Sequence, residues 1–439
     1  MFTETIFALS SGALPAGIAV IRLSGPHVRH ILETIVGGVP TARHAGLVDI
    51  RDRKRSLLDR GLVLFFEAPA SFTGEDCAEL HVHGGRAVVA ALLRTLGEFD
   101  GVRQADAGEF TRRAFLNGKM DLTGAEALAD LLAADTEMQR RLALENAGGS
   151  QRELYEGWRA RMVRSRAMIE AALDFTDEDD VSEYAWESER QHLGALASEI
   201  EKHRGGYAAA EMIRDGFRIV ILGAPNAGKS SLLNAIARRD VAIVTDEPGT
   251  TRDLIEVPVD LGGYKVVFTD TAGIRDGAGR VESIGIERAL GYARSAHLLL
   301  VLEDAADRRP MDLGSDRPTW RVGSKTDLLR PDAWDEAVNR YDHLVSARTG
   351  VGIQPLLDAI RDRLDAMIPA DHGVLPSRVR HDQLLGTAAG HLRQAAAMSE
   401  ADVVAEELRL AAEALGRVTG TIDTEEVLGA IFSEFCIGK

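Results

Sequence analysis

The chain is 439 residues long, more than one hydrophobic core can serve, so about two to four domains are expected. At 45% hydrophobic and 27% charged it has the make-up of a water-soluble protein, and its formal net charge of −17 argues against coating a nucleic-acid backbone or docking on anionic lipid, leaving RNA only a local basic patch. No apolar run approaches the ~20 residues of a membrane span, the N-terminal stretch MFTETIFALSSGALPAG lacks the basic segment of a secretory signal, and two cysteines, Cys77 and Cys436, offer no disulfide framework and suit a reducing cytoplasm.

Residues 1–118 have the pattern of a mixed α/β domain. Gly17–Leu23 is an apolar strand closed by Ser24-Gly25-Pro26, Gly61–Phe66 is a second, and Cys77–His83 alternates up to Gly84-Gly85 as a third. Val88–Leu96 then has helical spacing. Arg22, Glu79 and Lys119 are charges in or beside these apolar segments; as isolated residues they are what solvated strand edges and loop ends look like. His81 and His83 share a strand face, but a bare H-x-H with no further ligands is a weak metal signal.

Residues 119–215 are helical throughout. Thr123 to Glu126 fits a capping box, and Leu128, Leu131, Leu132, Met138 and Leu142 recur at helical spacing as far as Gly148-Gly149. Amphipathic segments follow at 151–173 and 187–210, separated by the acidic run 177–180, which a solvated loop explains. Residues 216–372 alternate strands (Phe217–Leu222, Lys265–Thr269, Leu298–Leu302, Trp320–Gly323, His343–Val345) with helices, as in a parallel sheet covered on both faces. Residues 373–439 return to helix: Arg378–Ala397, Asp402–Leu415, Thr424–Phe435. The expected fold class is therefore multidomain: an N-terminal mixed α/β domain, an α-helical bundle, and a doubly wound P-loop domain inserted into that bundle.

The inserted domain carries the chemistry. Gly223 to Ser230 fits G-x-x-x-x-G-K-[ST] between an apolar strand and a helix that continues through Ser231. In that setting Asn226, Ala227 and Gly228 turn backbone N–H groups onto phosphates, Lys229 reaches the outer phosphates, Ser230 ligates Mg²⁺, and the helix N-terminus adds its positive dipole end. Asp270-Thr271-Ala272-Gly273 ends the next parallel strand, with Asp270 for the metal and Gly273 to donate to the terminal phosphate. Before it runs the switch-like loop Thr245-Asp246-Glu247-Pro248-Gly249-Thr250-Thr251, whose Thr251 hydroxyl can complete the Mg²⁺ shell. Ser324-Lys325-Thr326-Asp327 is similar to the guanine-reading N-K-x-D of small GTPases, with Asp327 accepting from the ring N–H and amino group that adenine lacks. Ser346-Ala347-Arg348 is similar to the loop that touches the guanine carbonyl. Ser324 departs from the asparagine usual at its position, which bears on affinity rather than base choice. Ile274 stands where Ras-like enzymes place a water-orienting glutamine, so catalysis must come from elsewhere. Glu282 is one source; a monovalent cation held by Asn226 and the Thr245–Thr250 loop is another.

The chain as a whole resembles the MnmE/TrmE family of tRNA modification GTPases. The words that carry this are Phe72-Thr73-Gly74-Glu75-Asp76, His83-Gly84-Gly85, Gly108-Glu109-Phe110-Thr111, Arg113 through Lys119, Asp174-Phe175, Ile284 through Ala289, and the terminal Phe435-Cys436-Ile437-Gly438-Lys439. The resemblance implies a tetrahydrofolate-binding, dimerising domain at 1–118, a helical domain in two parts (119–215 and 373–439, the second with the CIGK terminus), and an inserted G domain at 216–372. It implies a cytoplasmic homodimer that forms a heterotetramer with the FAD-bearing flavoprotein MnmG/GidA and uses a formyl-tetrahydrofolate one-carbon unit. The product would be a carboxymethylaminomethyl or aminomethyl group on carbon 5 of the wobble uridine of certain tRNAs, with GTP hydrolysis activated by K⁺. Residue by residue, Asn226, Thr245, Glu247 and Thr250 would hold K⁺, Ser230 and Thr251 Mg²⁺, and Glu282 would orient the attacking water. Arg22, Glu79, Lys119 and Lys439 would contact 5-formyltetrahydrofolate. Ala13-Leu14-Pro15-Ala16-Gly17 stands where the family commonly has a Gly/Arg-rich loop. Cys436 has the position of a prenylated cysteine but not the following residues, so a packing or a reactive thiol are the readings left. The alternative to the enzyme is a regulatory GTPase switch in ribosome assembly, which would not bind a folate.

Overall fold

The computed structural model describes residues 2–174, 183–239, 243, 255–270, 294–307, 317–368, 373–421, 435 and 438. The chain divides into two compact units, Met1–Ala129 with Ala147–Ala197 and Thr387–Lys439, and Asp130–Asn146 with Ser198–Gly386.

The first unit is built on a six-stranded sheet in the order β3-β4-β5-β2-β1-β6. Its strands are β1 Thr5–Leu9, β2 Ala16–Ser24, β3 Gly46–Arg51, β4 Leu57–Phe66, β5 Cys77–Gly84 and β6 Val102–Gln104. The three strands expected from alternation are its centre; β1, β3 and β6, short or at the edges, were not legible locally. Pairing is antiparallel except between β1 and β6. Alternation then sorts the side chains. Ile21, Leu23, Val63, Phe65, Leu80 and Val82 bury against Ile31 and Leu32 of the helix Val28–Ile35 and Leu92 and Leu96 of the helix Arg86–Gly97. The opposite face carries Leu47, Leu62, Leu64, Val20, Arg22, Glu79 and His81, which the register lines up across β3, β4, β5 and β2. The other described elements of this unit are helices, with Ser150–Asp174 packed along Ala401–Thr419 through Tyr155, Trp158, Met162, Leu408 and Leu415.

The helix expected to run unbroken from Thr123 to Gly148 is two helices, Leu122–Leu132 and Glu137–Ala147. Its cap is Asp121 rather than Thr123: Asp121 Oδ1 accepts the Gly124 N–H at 3.0 Å, and Thr123 donates its own hydroxyl to Asp121 Oδ2 at 2.7 Å. The break is held from behind. Gln139 Oε1 accepts the N–H groups of Asp135 and Thr136 at 2.9 and 3.1 Å, satisfying donors that the interrupted helix would leave open.

The sheet of the second unit has the order β12-β11-β10-β7-β9-β8. The strands are β7 Phe217–Gly223, β8 Ile255–Leu261, β9 Tyr264–Asp270, β10 Leu298–Asp304, β11 Thr319–Ser324 and β12 His343–Leu344. The five expected strands are parallel to one another, and β8, not expected, is an antiparallel edge. Pro258 within β8 is tolerated because an edge strand needs only one row of ladder bonds. The apolar runs of β7 and β10 are buried on both faces: Ile219, Ile221, Leu298, Leu300 and Leu302 pack against the helices Lys229–Ala237 and Ile353–Met367 and against Ile213, Met212 and Leu142, while Val220, Leu222 and Leu299 cluster with Ala296. Among the described residues no helix is long and apolar enough to cross a membrane.

Candidate GTP site and folate face

Parallel pairing brings the C-terminal ends of β7, β9, β10 and β11 to one edge of the sheet, the edge at which such folds hold ligands. Gly223 ends β7 with a φ of +157°, and a Cβ there would overlap the Leu302 carbonyl oxygen of β10, so only glycine lets the strands meet where the loop begins. From the start of the next helix Lys229 Nζ folds back over that loop and donates to the carbonyls of Gly223 and Ala224 at 2.9 and 3.0 Å. Asn226, with a φ of +64°, and Ser231 are exposed at the rim. Ser230 Oγ donates to Oδ2 of the fully buried Asp270 at 2.6 Å, uniting two motifs that lie 40 positions apart. A hydroxyl and a carboxylate at one point are hard oxygen donors, the set that Mg²⁺ takes beside phosphates.

The candidate base-reading segments converge on the same edge. Asp327 Oδ1 accepts the Ser346 hydroxyl at 2.7 Å, and Arg348 Nη1 stands 3.7 Å from Asp327 Oδ2. Thr326 is buried and donates its N–H to the Val345 carbonyl at 3.3 Å, and Ala347 lies between Ser346 and Arg348. Two residues missed by sequence reasoning complete this edge, the acids that end β10. Asp304 accepts from Lys325 Nζ at 2.8 Å; burial opposes its charge, but that bond and the N–H groups of Ala306 and Asp307 outweigh it and hold the carboxyl below its ordinary range. Glu303 is buried between Arg321 and Arg340 at 2.8 and 3.4 Å. The signal was an apolar strand ending in two carboxylates.

In the first unit, Arg22 and Glu79 are direct cross-strand partners, with Arg22 Nη2 2.9 Å and Nε 3.2 Å from Glu79 Oε1. His81 Nε2 lies 3.3 Å from the other oxygen, Oε2. The Arg22 guanidinium stands 5.5 Å from the Phe72 ring and 5.9 Å from that of Phe110. Lys119 Nζ donates to the Pro69 carbonyl at 3.0 Å, at the start of the loop that carries Phe72. Beneath this loop lies a buried network. Arg113, 1% exposed, bonds Glu75 and Glu109 at 3.0 Å each, and Ser24 Oγ donates to Glu75 Oε2 at 2.6 Å beside Thr73. The C-terminus reaches the same sheet, where the Gly438 carbonyl accepts the Ser10 hydroxyl at 2.8 Å. Gly438 has a φ of +101°, and a Cβ on it would overlap the Leu9 carbonyl. His83 is drawn off to Asp59 at 2.9 Å, and among the described residues no three His, Cys, Asp or Glu side chains gather as a metal cluster.

Residues 5–119 match the family model described as the N-terminus of the GTP-binding protein TrmE, and residues 122–436 match that of the MnmE helical domain. The tRNA modification GTPase MnmE of Mesorhizobium japonicum is 56% identical over 99% of this chain and 99% of its own. That of Chelativorans sp. is 55% identical over 99% of this chain and 98% of its own. The chain belongs to the MnmE/TrmE family of tRNA modification GTPases. As a member it is a GTP hydrolase with an N-terminal TrmE domain, a helical domain and a Ras-like P-loop domain. The structure of Aquifex aeolicus Era bound to GDP and AlF4⁻ is 24% identical over 42% of this chain and 68% of that chain, with a TM-score of 0.27, too slight a likeness to carry the fold.

Several MnmE-family positions lie outside the described residues: Thr245, Asp246, Glu247, Pro248, Gly249, Thr250, Thr251, Thr271, Ala272, Gly273, Ile274, Glu282, Cys436 and Lys439. The candidate K⁺ loop, the candidate water-orienting Glu282 and one of the four candidate folate contacts therefore rest on sequence alone.

Proposed function

We propose that this chain hydrolyses GTP in a G domain at 216–372 to time a folate-dependent modification of tRNA that involves the domain at 1–118. The two parts of the helical domain, 119–215 and 373–439, would connect them, and the protein would work as a homodimer in the cytoplasm. The observation that carries the GTP reading is the joining of Ser230 to Asp270 at one sheet edge with Asp327, Ser346 and Arg348. Asp327 reads guanine, and Lys229 supplies positive charge to the outer phosphates. Ser230, Asp270 and Thr251 would hold Mg²⁺, which would supply neutralisation of the charge that develops on the phosphates. Ile274 leaves no Ras-like glutamine, so Glu282 orients the water, and Asn226, Thr245, Glu247 and Thr250 would hold K⁺, which would supply the positive charge that an arginine finger gives elsewhere. The decisive measurement is phosphate release by the whole protein in KCl and in NaCl. Turnover is expected to be faster in K⁺ and to collapse in Glu282→Ala with GDP affinity kept; equal turnover in both salts sinks the cation part.

The folate half of the reading is supported by the partly exposed Arg22–Glu79 pair beside Phe72, which offers a cation, a carboxylate and an aromatic ring together. Arg22, Glu79, Lys119 and Lys439 bind 5-formyltetrahydrofolate, whose one-carbon unit, with the FAD of the partner MnmG/GidA, supplies the methylene on carbon 5 of the wobble uridine, while ammonium or glycine supplies the rest of the aminomethyl or carboxymethylaminomethyl group. Equilibrium binding of 5-formyltetrahydrofolate to the whole chain tests this. Affinity should fall in Arg22→Ala and in Glu79→Ala, and a wild-type chain that does not bind the folate returns the protein to a GTPase switch.

A further inference from the structure

Ser324 is the last residue of β11 and is only 4% exposed. Its Oγ lies 2.6 Å from the carbonyl oxygen of Ala227, in the P-loop, and 3.0 Å from that of Glu303, on β10. A hydroxyl has one proton to give, and the shorter contact marks Ala227 as its main acceptor. Ser324 also lies against the P-loop in ordinary van der Waals contact. A Cβ placed on Gly228 would stand 3.8 Å from Ser324 Oγ and 3.9 Å from Ser324 Cβ. Next to it, the Tyr341 and Leu344 side chains pack closely on Gly323, where a Cβ would meet them at 2.7 and 2.6 Å. On the far side of Ser324 the chain turns directly into the base-reading segment. Lys325, at a φ of +55°, is tied to Asp304, and Asp327 is tied to Ser346. A single hydroxyl thus links the loop that wraps phosphates to the loop that reads the base.

We propose that Ser324 is a positioning residue for the nucleotide, and that the distance from β11 to the P-loop in this chain is set for a serine, so that the asparagine usual at this position would weaken binding. The inference rests on the GTP reading above. An asparagine amide nitrogen stands one bond further from Cβ than a serine hydroxyl does. From the present Cβ, an amide aimed at the Ala227 oxygen would overlap it, and the chain would have to give up the bond or push the P-loop outward. Either result moves the backbone N–H groups around Ala227 away from the phosphates, while Asp327 and its base contacts keep their own support from Ser346.

The test is the affinity of the full-length protein for fluorescent GDP and IDP, in the wild type, Ser324→Ala, Ser324→Asn and Asp327→Asn. Measurements are made well below the unfolding midpoint of each variant. Ser324→Ala is expected to weaken GDP and IDP by the same factor, about tenfold, the worth of one buried hydrogen bond. Ser324→Asn is expected to bind no better than Ser324→Ala. Asp327→Asn, by contrast, should change the preference between the two bases. A Ser324→Ala protein that is fully folded and binds GDP as the wild type does would overturn the proposal, as would a Ser324→Asn protein that binds as tightly as the wild type or better. Failure of the wild type itself to bind GDP would instead sink the GTP reading.

Discussion

In the second unit the candidate binding atoms come from loops at the ends of parallel strands; in the first, Arg22 and Glu79 stand within antiparallel strands, on the face opposite the helices Val28–Ile35 and Arg86–Gly97. A strand-end site is made largely of backbone, so its identity is written in short words: glycines where a Cβ will not fit, a lysine or serine at a fixed step, an aspartate as the strand stops. A mid-strand site is made of side chains whose neighbours come from register. Arg22 and Glu79 meet although 57 positions separate them, and nothing around either residue announces the other. The two kinds of site should therefore break differently when side chains are removed.

The largest effect is expected at the strand ends. Lys229→Ala should lower GTP turnover at least ~100-fold, as loss of one aligned charge at a developing anion does, with little change in the unfolding midpoint; phosphate release and circular dichroism together check this. The first unit should show the reverse balance. Arg113 is buried between Glu75 and Glu109, and Arg113→Met takes the buried cation from both, leaving Glu109 to Arg103 and Glu75 to the Ser24 hydroxyl, so destabilisation of about 3 kcal/mol is expected in urea unfolding. A shift below ~1 kcal/mol would mean that the network under the Phe72 loop is not what holds it.

Acid should reach the second unit first. Burial, helped by the neighbouring His381, pushes the imidazole of His203 from its ordinary 6.5 down to about 4. Its neutral form is the folded one, so the stability it contributes is whole above 6.5 and is withdrawn as pH falls toward 4. Burial alone would raise Glu109, but Arg103, the Asp106 N–H and Arg113 outweigh it and hold the carboxyl below its ordinary 4.5. Its contribution is full above 4.5 and is lost only as pH drops below that value. Unfolding followed by hydrogen exchange at stepped pH should show residues 198–215 and 373–386 opening before the sheet of the first unit. His203→Gln should flatten the first phase and Glu109→Gln the second.

The smallest effect concerns Arg22 and Glu79. Their pairing is partly exposed, so a double-mutant cycle should yield a coupling in stability of about 1 kcal/mol or less, while each single change lowers folate affinity. A larger coupling with unchanged folate affinity would make the pair a plain sheet contact.

The extent to which the protein was legible follows the same division. The P-loop, Asp270 at the end of β9, and the Ser324–Asp327 and Ser346–Arg348 segments were each readable from a few neighbouring residues, because local backbone conformation is what those residues specify. The helix break at 133–136 and the Asp121 cap were not, since Gln139 and Asp121 act through bonds that helical periodicity does not encode. β8 was hidden by Pro258, which only an edge position permits, and β1 and β6 by their brevity, which only their neighbours make up for. The sequence by itself determined the strand–loop–helix of the nucleotide site and the alternation that sorts the two faces of the first sheet, because periods of 2 and 3.6 and the sterics of glycine act within a few residues. Tertiary structure alone decided that Ser230 meets Asp270, that Arg22 meets Glu79 and that Ser324 reaches Ala227, because those pairings depend on strand order and register, which are set by packing across the whole sheet.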